Sequence, residues 1–321
     1  MKISTLLAAA LAALFVAAGP ARAAEWPERT ITLVVPLAPG GSTDTTARLL
    51  AEKLRAELGQ TVIVDNRAGA GGNIGAAYVA KSEPDGYNLL FTTSTIATNV
   101  TLFKSLPFDL LKDFAPVSQV ALIPNVLMVN QDFPAKTLAE FTDYVRQNKD
   151  TVNYGSAGNG TSQHLSGALF NSMAHGAMVH VPYKGGAPAN ADLLAGQIQA
   201  VFSPLVEVLP YIDSGKLRAL GVTTKARSPR LPDVPAVGEV LPGFEVVLWN
   251  GVLAPARTPP AVIARLNAAI RKVVQDPGFR KTLAEQGSTP VGNSPAEFKQ
   301  QLAGEIDKWG KLVKLSGARV E

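Results

Sequence analysis

Apolar residues along the chain fall into short runs that alternate with helical stripes. Ile31–Val35 is a compact apolar run. After the Pro/Gly segment 36–41, Ala47, Leu50, Leu54 and Leu58 recur at the spacing of one helix face, and Gly59 stands where a left-handed C-terminal residue belongs. The pattern next predicts a strand at 61–64, a glycine-rich turn at 69–75, a helix at 76–81 and a strand at 88–91. Strand alternating with helix predicts a parallel sheet, whose ligand sites lie beyond the carboxyl ends of its strands.

The extended apolar run 117–130, interrupted by Pro124, reads as a crossing between two lobes. Thr137 and Glu140 form a capping box before Leu138, Phe141 and Val145. The alternation then restarts, with strands at 152–154, 178–181, 198–202 and 217–223 and helices from 161, at 188–194 and at 206–212. Residues 227–242 read as proline-rich coil and 244–253 as a strand whose Trp249 belongs to the core. Thr258 and Pro259 open a helix that Asp276-Pro277-Gly278 stops, and Ser294 with Glu297 opens a final one. The expected organisation is a signal peptide at 1–23, a discontinuous lobe at 24–125 and 224–321, and an inserted lobe at 126–223.

Composition narrows the class. At 321 residues the chain suffices for two domains. Lys2, the apolar segment 6–18 and Ala21-Arg22-Ala23 read as a secretory signal cleaved after Ala23, so the mature protein is expected in the periplasm. Cysteine is absent, which excludes disulfides, thiol nucleophiles and cysteine metal sites. The formal charge is +4; without Lys2 and Arg22 it is +2. No dense basic run exists, which argues against nucleic acid. The three histidines have no acidic neighbours at ligand spacing, so no metal is expected.

Two strand-to-helix junctions carry the candidate chemistry. The first comprises Pro39, Gly40, Gly41, Ser42, Thr43 and Asp44; the second comprises Ser156, Ala157, Gly158, Gly160 and Thr161. A helix N-terminus offers unpaired N–H groups and partial positive charge to an anion. Alone, the first junction reads as an ordinary cap, with Ser42 or Thr43 as N-cap. Its recurrence shifts the reading to binding, because glycines let ligand oxygens approach the backbone. Asp44 would repel a carboxylate and is expected to turn into the helix start or meet an amine or hydroxyl.

Thr93 and Ser94 stand at the end of the third strand, His164 one turn into the helix after the second junction, and Tyr183 at another strand end. The glycines of 69–75 follow the wrong strand for a dinucleotide site. No G-x-S-x-G elbow, H-E-x-x-H or P-loop occurs. Binding without catalysis or cofactor therefore leads. An exported sensor, or a hydrolase using Ser42 or Ser156, are the alternatives.

The same residues carry a family resemblance. VPLAPGGSTD (35–44), VDNRAGAGG (64–72), PDGYNLL (84–90), NYGSAGNGTSQHL (153–165), VPYKGG (181–186) and WNGVLAPARTP (249–259) together resemble the Bug solute-binding proteins, extracytoplasmic receptors of tripartite tricarboxylate transporters. The resemblance implies an α/β type II periplasmic-binding fold with two lobes, crossing hinge strands and a ligand cleft between them. It also implies a small carboxylate held by loops of both lobes (39–44 and 156–161, with Thr93, Ser94, His164 and Tyr183) and delivery to transporter membrane subunits. Amino acids, di- and tricarboxylates and aromatic acids all occur as ligands in that family. Leu37 stands where many relatives carry an aromatic residue, and Arg257 where glycine is usual. A monomer is the default expectation.

Overall fold

The computed structural model describes residues 26–320; the signal segment and its cleavage point lie outside the described residues. The first unit is built as the apolar pattern requires. Strand β1 (Ile31–Val35) runs parallel to β2 (Val62–Asn66) and β3 (Asn88–Thr93), joined through helices α1 (Ser42–Leu58) and α2 (Asn73–Ala80). Gly59 ends α1 in the left-handed region at φ 67° and donates its N–H to the Arg55 carbonyl. Helix α3 (Thr95–Leu102) then leads to β4 (Phe114–Asn130), the expected crossing strand.

Beyond β4 come α4 (Leu138–Gln147), β5 (Asn153–Ser156), α5 (Ser162–Ala174), β6 (Val179–Pro182), α6 (Gly186–Leu194), β7 (Ala200–Pro204), α7 (Leu205–Asp213) and β8 (Leu217–Val222). The chain returns through β9 (Val247–Pro255), α8 (Pro260–Gln275), α9 (Pro277–Glu285), β10 (Thr289–Pro290) and α10 (Pro295–Ser316). All ten strands join one sheet, in the order β2-β1-β3-β9-β4-β7-β5-β6, with β8 and β10 also paired to β4. From Phe114 to Pro124, β4 pairs antiparallel with β9; from Asn125 to Asn130 it pairs with β7 and β8. Pro124, which has no N–H to give a ladder, stands where β4 changes partners. One strand thus belongs to both lobes.

Three starts differ from expectation. The residue preceding α1 is Gly41, extended at φ −80° and ψ 172°, and no side chain caps that helix. Pro259 rather than Thr258 precedes α8, so that Pro260 takes the first helical position, where a missing N–H does no harm. Asp276 ends α8 but also starts α9, its Oδ1 accepting the Phe279 N–H at 2.9 Å.

The core is continuous between the halves. Phe141, Phe170 and Phe202 of the inserted unit share one buried cluster with Trp249, Phe298 and Trp309 of the returning chain. Each such side chain contributes roughly 1.5–3 kcal/mol by leaving water. The indole N–H groups of Trp249 and Trp309 both donate to Glu305 Oε2, the former at 2.7 Å. Trp249 is a core residue at 1% exposure. Helix α10 packs on both α3 and α5, so it touches both lobes.

Candidate functional site

The strand ends meet in a buried polar patch between the lobes. Thr93, at the end of β3, pairs with Asn250 of β9. Asn250 Nδ2 lies 3.3 Å from Thr43 Oγ1, at the start of α1. On the other side, the Asn125 N–H donates to Thr223 Oγ1 at 3.0 Å, and its side chain reaches Ser166 Oγ (3.4 Å) and Ser162 Oγ (3.5 Å) at the start of α5. Apart from Ser162 and Ser166, which share α5, these residues come from different parts of the fold, and every side chain named is buried.

Several polar atoms here have no partner: Thr93 Oγ1, Ser94 Oγ, Ser203 Oγ and Asn250 Oδ1. A buried group left unpaired costs about 1–3 kcal/mol. Such a concentration at the carboxyl ends of strands marks a place that a ligand or water completes. Asn125, Ser203, Glu207 and Asn250 escaped the sequence reading. Their only signal was polarity inside otherwise apolar segments.

At the first junction Asp44 folds back onto its own loop. Its Oδ2 accepts the Gly40 N–H and Arg48 Nε, both at 2.9 Å, and its Oδ1 accepts Asn66 Nδ2 at 2.9 Å. Burial pushes this carboxyl up, but the hydrogen bonds from Arg48, Gly40 and Asn66 outweigh it and hold the group below its ordinary value. Pro39 and Gly40 are exposed, whereas Ser42 and Thr43 are buried. The Ser42 N–H, first of α1, donates to Glu207 Oε1 across the cleft at 3.0 Å. An opposing carboxylate thus satisfies the helix end that was expected to be capped by its own hydroxyls.

The second junction is largely self-bonded. Ala157 donates to Gln163 Oε1, Gly158 to Ser156 Oγ (3.1 Å), Gly160 to His164 Nδ1 (3.1 Å) and Thr161 to the Gly158 carbonyl (3.4 Å). Thr161 Oγ1 in turn accepts the His164 N–H and caps α5. Gly160 has a packing reason: a Cβ there would overlap Leu102 of α3. What this loop presents to the cleft is therefore chiefly the start of α5, with Ser162 beside Asn125.

His164 and Tyr183 stand apart from the polar patch. The His164 ring stacks on His180 at 3.9 Å, and both line a side cavity of about 450 Å³ with Tyr154, Asn171 and Leu315. Burial lowers His164 to about 4; burial and then the neighbouring His164 lower His180 to about 3. Ser156 Oγ lies 2.6 Å from His180 Nε2 but is fully buried and also bonded to Gly158. The Tyr183 hydroxyl donates to Asp192 Oδ2 at 2.6 Å, fixing it within its own lobe. Among the described residues there is no cluster of three or more metal-ligating side chains, and no helix is long and apolar enough to cross a membrane.

Two α/β lobes sharing crossing strands, with buried unpaired polar groups where their strand ends face each other, define a solute-binding protein of the type II periplasmic architecture. The family model for the tripartite tricarboxylate transporter family receptor matches residues 46–318. The chain belongs to that family. It is 38% identical to Protein BugT of Bordetella pertussis over 95% of this chain and 94% of that one. Among solved structures, Rpa4515 of R. palustris with adipate aligns with TM-score 0.87 and 37% identity, over 92% of this chain and all of that one. MatC of Rhodopseudomonas palustris with bound malate aligns with TM-score 0.82 and 36% identity, over 90% of this chain and all of that one.

Proposed function

We propose that this receptor captures a small carboxylate between its lobes, in the periplasm after cleavage behind Ala23, and delivers it as a monomer to the membrane subunits of a tripartite tricarboxylate-type transporter. The lobes divide at 24–125 with 224–321 and at 126–223. The ligand is held by the loops 39–44 and 156–161 together with Thr93 and Ser94, while His164 and Tyr183 brace the second loop. Adipate and malate in the two related structures support the ligand class.

The observation that carries this reading is the set of unpartnered buried groups at strand ends, Thr93 Oγ1, Ser94 Oγ, Ser203 Oγ and Asn250 Oδ1, with the Asn250 side chain reaching Thr43 at the start of α1. Charge-assisted hydrogen bonds contribute roughly 1.5–3 kcal/mol each. Three or four of them reach the 8 kcal/mol or so of a micromolar complex before association costs. The ligand favours the closed state by touching both lobes at once. No chemical step is required of the site, and Ser156, beside His180, is itself fully buried.

Thermal unfolding of residues 24–321 against small acids, each paired with its neutral amide, tests the reading. A ligand that binds only the native state raises Tm by mass action. An acid that shifts Tm while its amide does not is the expected result. A panel without any such acid, in a sample that denaturing mass spectrometry finds free of copurified ligand, overturns it.

A further inference from the structure

Glu207 is a carboxylate placed between the lobes that forms no ion pair among the described residues. It lies in the first turn of α7, half-buried, and its Oε1 accepts the Ser42 N–H from the opposite lobe. Its Oε2 lies against Gly186 at the start of α6, where a Cβ would overlap it, and Gln163 Nε2 borders the same spot. Among the described residues no lysine, arginine or histidine forms an ion pair with it. The neighbouring α1 start also carries Thr43, whose hydroxyl meets Asn250, and Asn250 is the strand partner of Thr93, whose hydroxyl is unpartnered.

A ligand carboxylate entering this wall meets a second carboxylate at the same helix end. Two like charges at contact distance repel, and more strongly where water is excluded. Asp44 does not relieve the conflict, because Arg48 and Asn66 already occupy it. Burial pushes the Glu207 carboxyl up, so a proton relieves the conflict for a simple acid. A cation between the two anions relieves it with both charged, and no side chain among the described residues forms an ion pair with Glu207 to supply one.

We propose that Glu207 is a specificity residue that selects ligands carrying an ammonium group next to the carboxylate, that is, α-amino acids over the same acids without the amine. The ligand carboxylate takes the remaining first-turn amides of α1 and the nearby hydroxyls, and its ammonium donates to Glu207. This inference rests on the carboxylate-receptor reading.

Matched pairs that differ only in the amine test it: aspartate with succinate, glutamate with glutarate, leucine with 4-methylpentanoate, phenylalanine with 3-phenylpropanoate. Titration calorimetry on the wild-type chain is expected to show at least a tenfold preference for the amino member of any pair that binds. Glu207→Gln keeps the shape and the acceptor for Ser42 but removes the charge, and is expected to erase that preference; Glu207→Asp is expected to keep part of it. Equal weakening of both members by Glu207→Gln, or a wild-type preference for the acid lacking the amine, overturns the role of Glu207 while the receptor reading stands. Failure of every pair and of every other carboxylate to bind overturns both.

Discussion

Gly160 in the second junction lies directly against Leu102 of α3, so closely that one added methyl group would overlap the leucine Cδ2. Leu102 precedes the crossing strand β4 and Gly160 follows it, so their contact joins the two sides of the molecule. Gly160 also holds φ 75°, a region that other residues adopt at a cost of order 1 kcal/mol.

Gly160→Ala is therefore expected to lower Tm slightly and to weaken ligand binding at least tenfold, with the molecule more open in small-angle scattering. Pairing it with Leu102→Ala restores room for closure. The double variant should regain most of the lost affinity, although truncating Leu102 itself costs about 2–5 kcal/mol of stability. Titration of both single variants and the double variant measures the coupling.

Thr93→Val tests whether the unpaired hydroxyls exist for a ligand. Valine has the shape of threonine without the orphaned Oγ1, so the ligand-free protein should be as stable as wild type or about 1 kcal/mol more so. Affinity should nevertheless fall about tenfold. Denaturant melts and ligand titrations on the same preparation separate the two effects.

Ser42→Pro removes the N–H that meets Glu207 while respecting the helix. The position is the first of α1, where proline is accepted, and Gly41 already has the extended backbone that must precede it. The variant should fold with a Tm near wild type, lose the contact to Glu207, and bind ligand at least tenfold more weakly. Circular dichroism and calorimetry check both halves of this expectation.

Acid should loosen the second loop through His164. Its Nδ1 accepts the Gly160 N–H, which places the ring proton on Nε2 and leaves no room for a second one. Burial lowers the ring from 6.5 to about 4, so the unfolded chain binds a proton that the folded one refuses. The contribution is present above pH 6.5 and is lost as pH falls towards 4, by roughly 3 kcal/mol. His164→Gln should flatten that part of the profile, and the part due to His180 should remain. Urea melts between pH 7 and pH 4 provide the comparison.

Much of the fold is legible because its signals are local. The apolar run 31–35, the stripe Ala47-Leu50-Leu54-Leu58 and the capping boxes at Thr137 and Ser294 each sit where the structure has them. Boundaries shift where pairing decides them: β2 continues to Asn66 because Asn66 stands opposite Val35. What eluded the sequence is non-local. Ser42 looked like a cap because the group that satisfies its helix is Glu207, on another lobe. The glycines of the second junction suggested an open approach to the backbone, but Gly160 answers to Leu102 and its N–H to His164. Asn125 and Asn250 are single polar letters in apolar strands, and only the fold brings their neighbourhoods together.

Because β4 carries the ladder of one lobe as far as Pro124 and that of the other from Asn125 onward, the lobes are not hung on slack tethers. Relative rotation has to be taken up as twist along strands whose amides are already bonded, with the register shifts of β4 near Ser118, Ala121 and Met128 as its softer points. Such a joint behaves as a torsion spring rather than a free pivot. Its restoring force rises with angle, so ligands of different size would settle the molecule at different angles, and a membrane partner that senses the angle would read ligand fit as a graded mechanical signal.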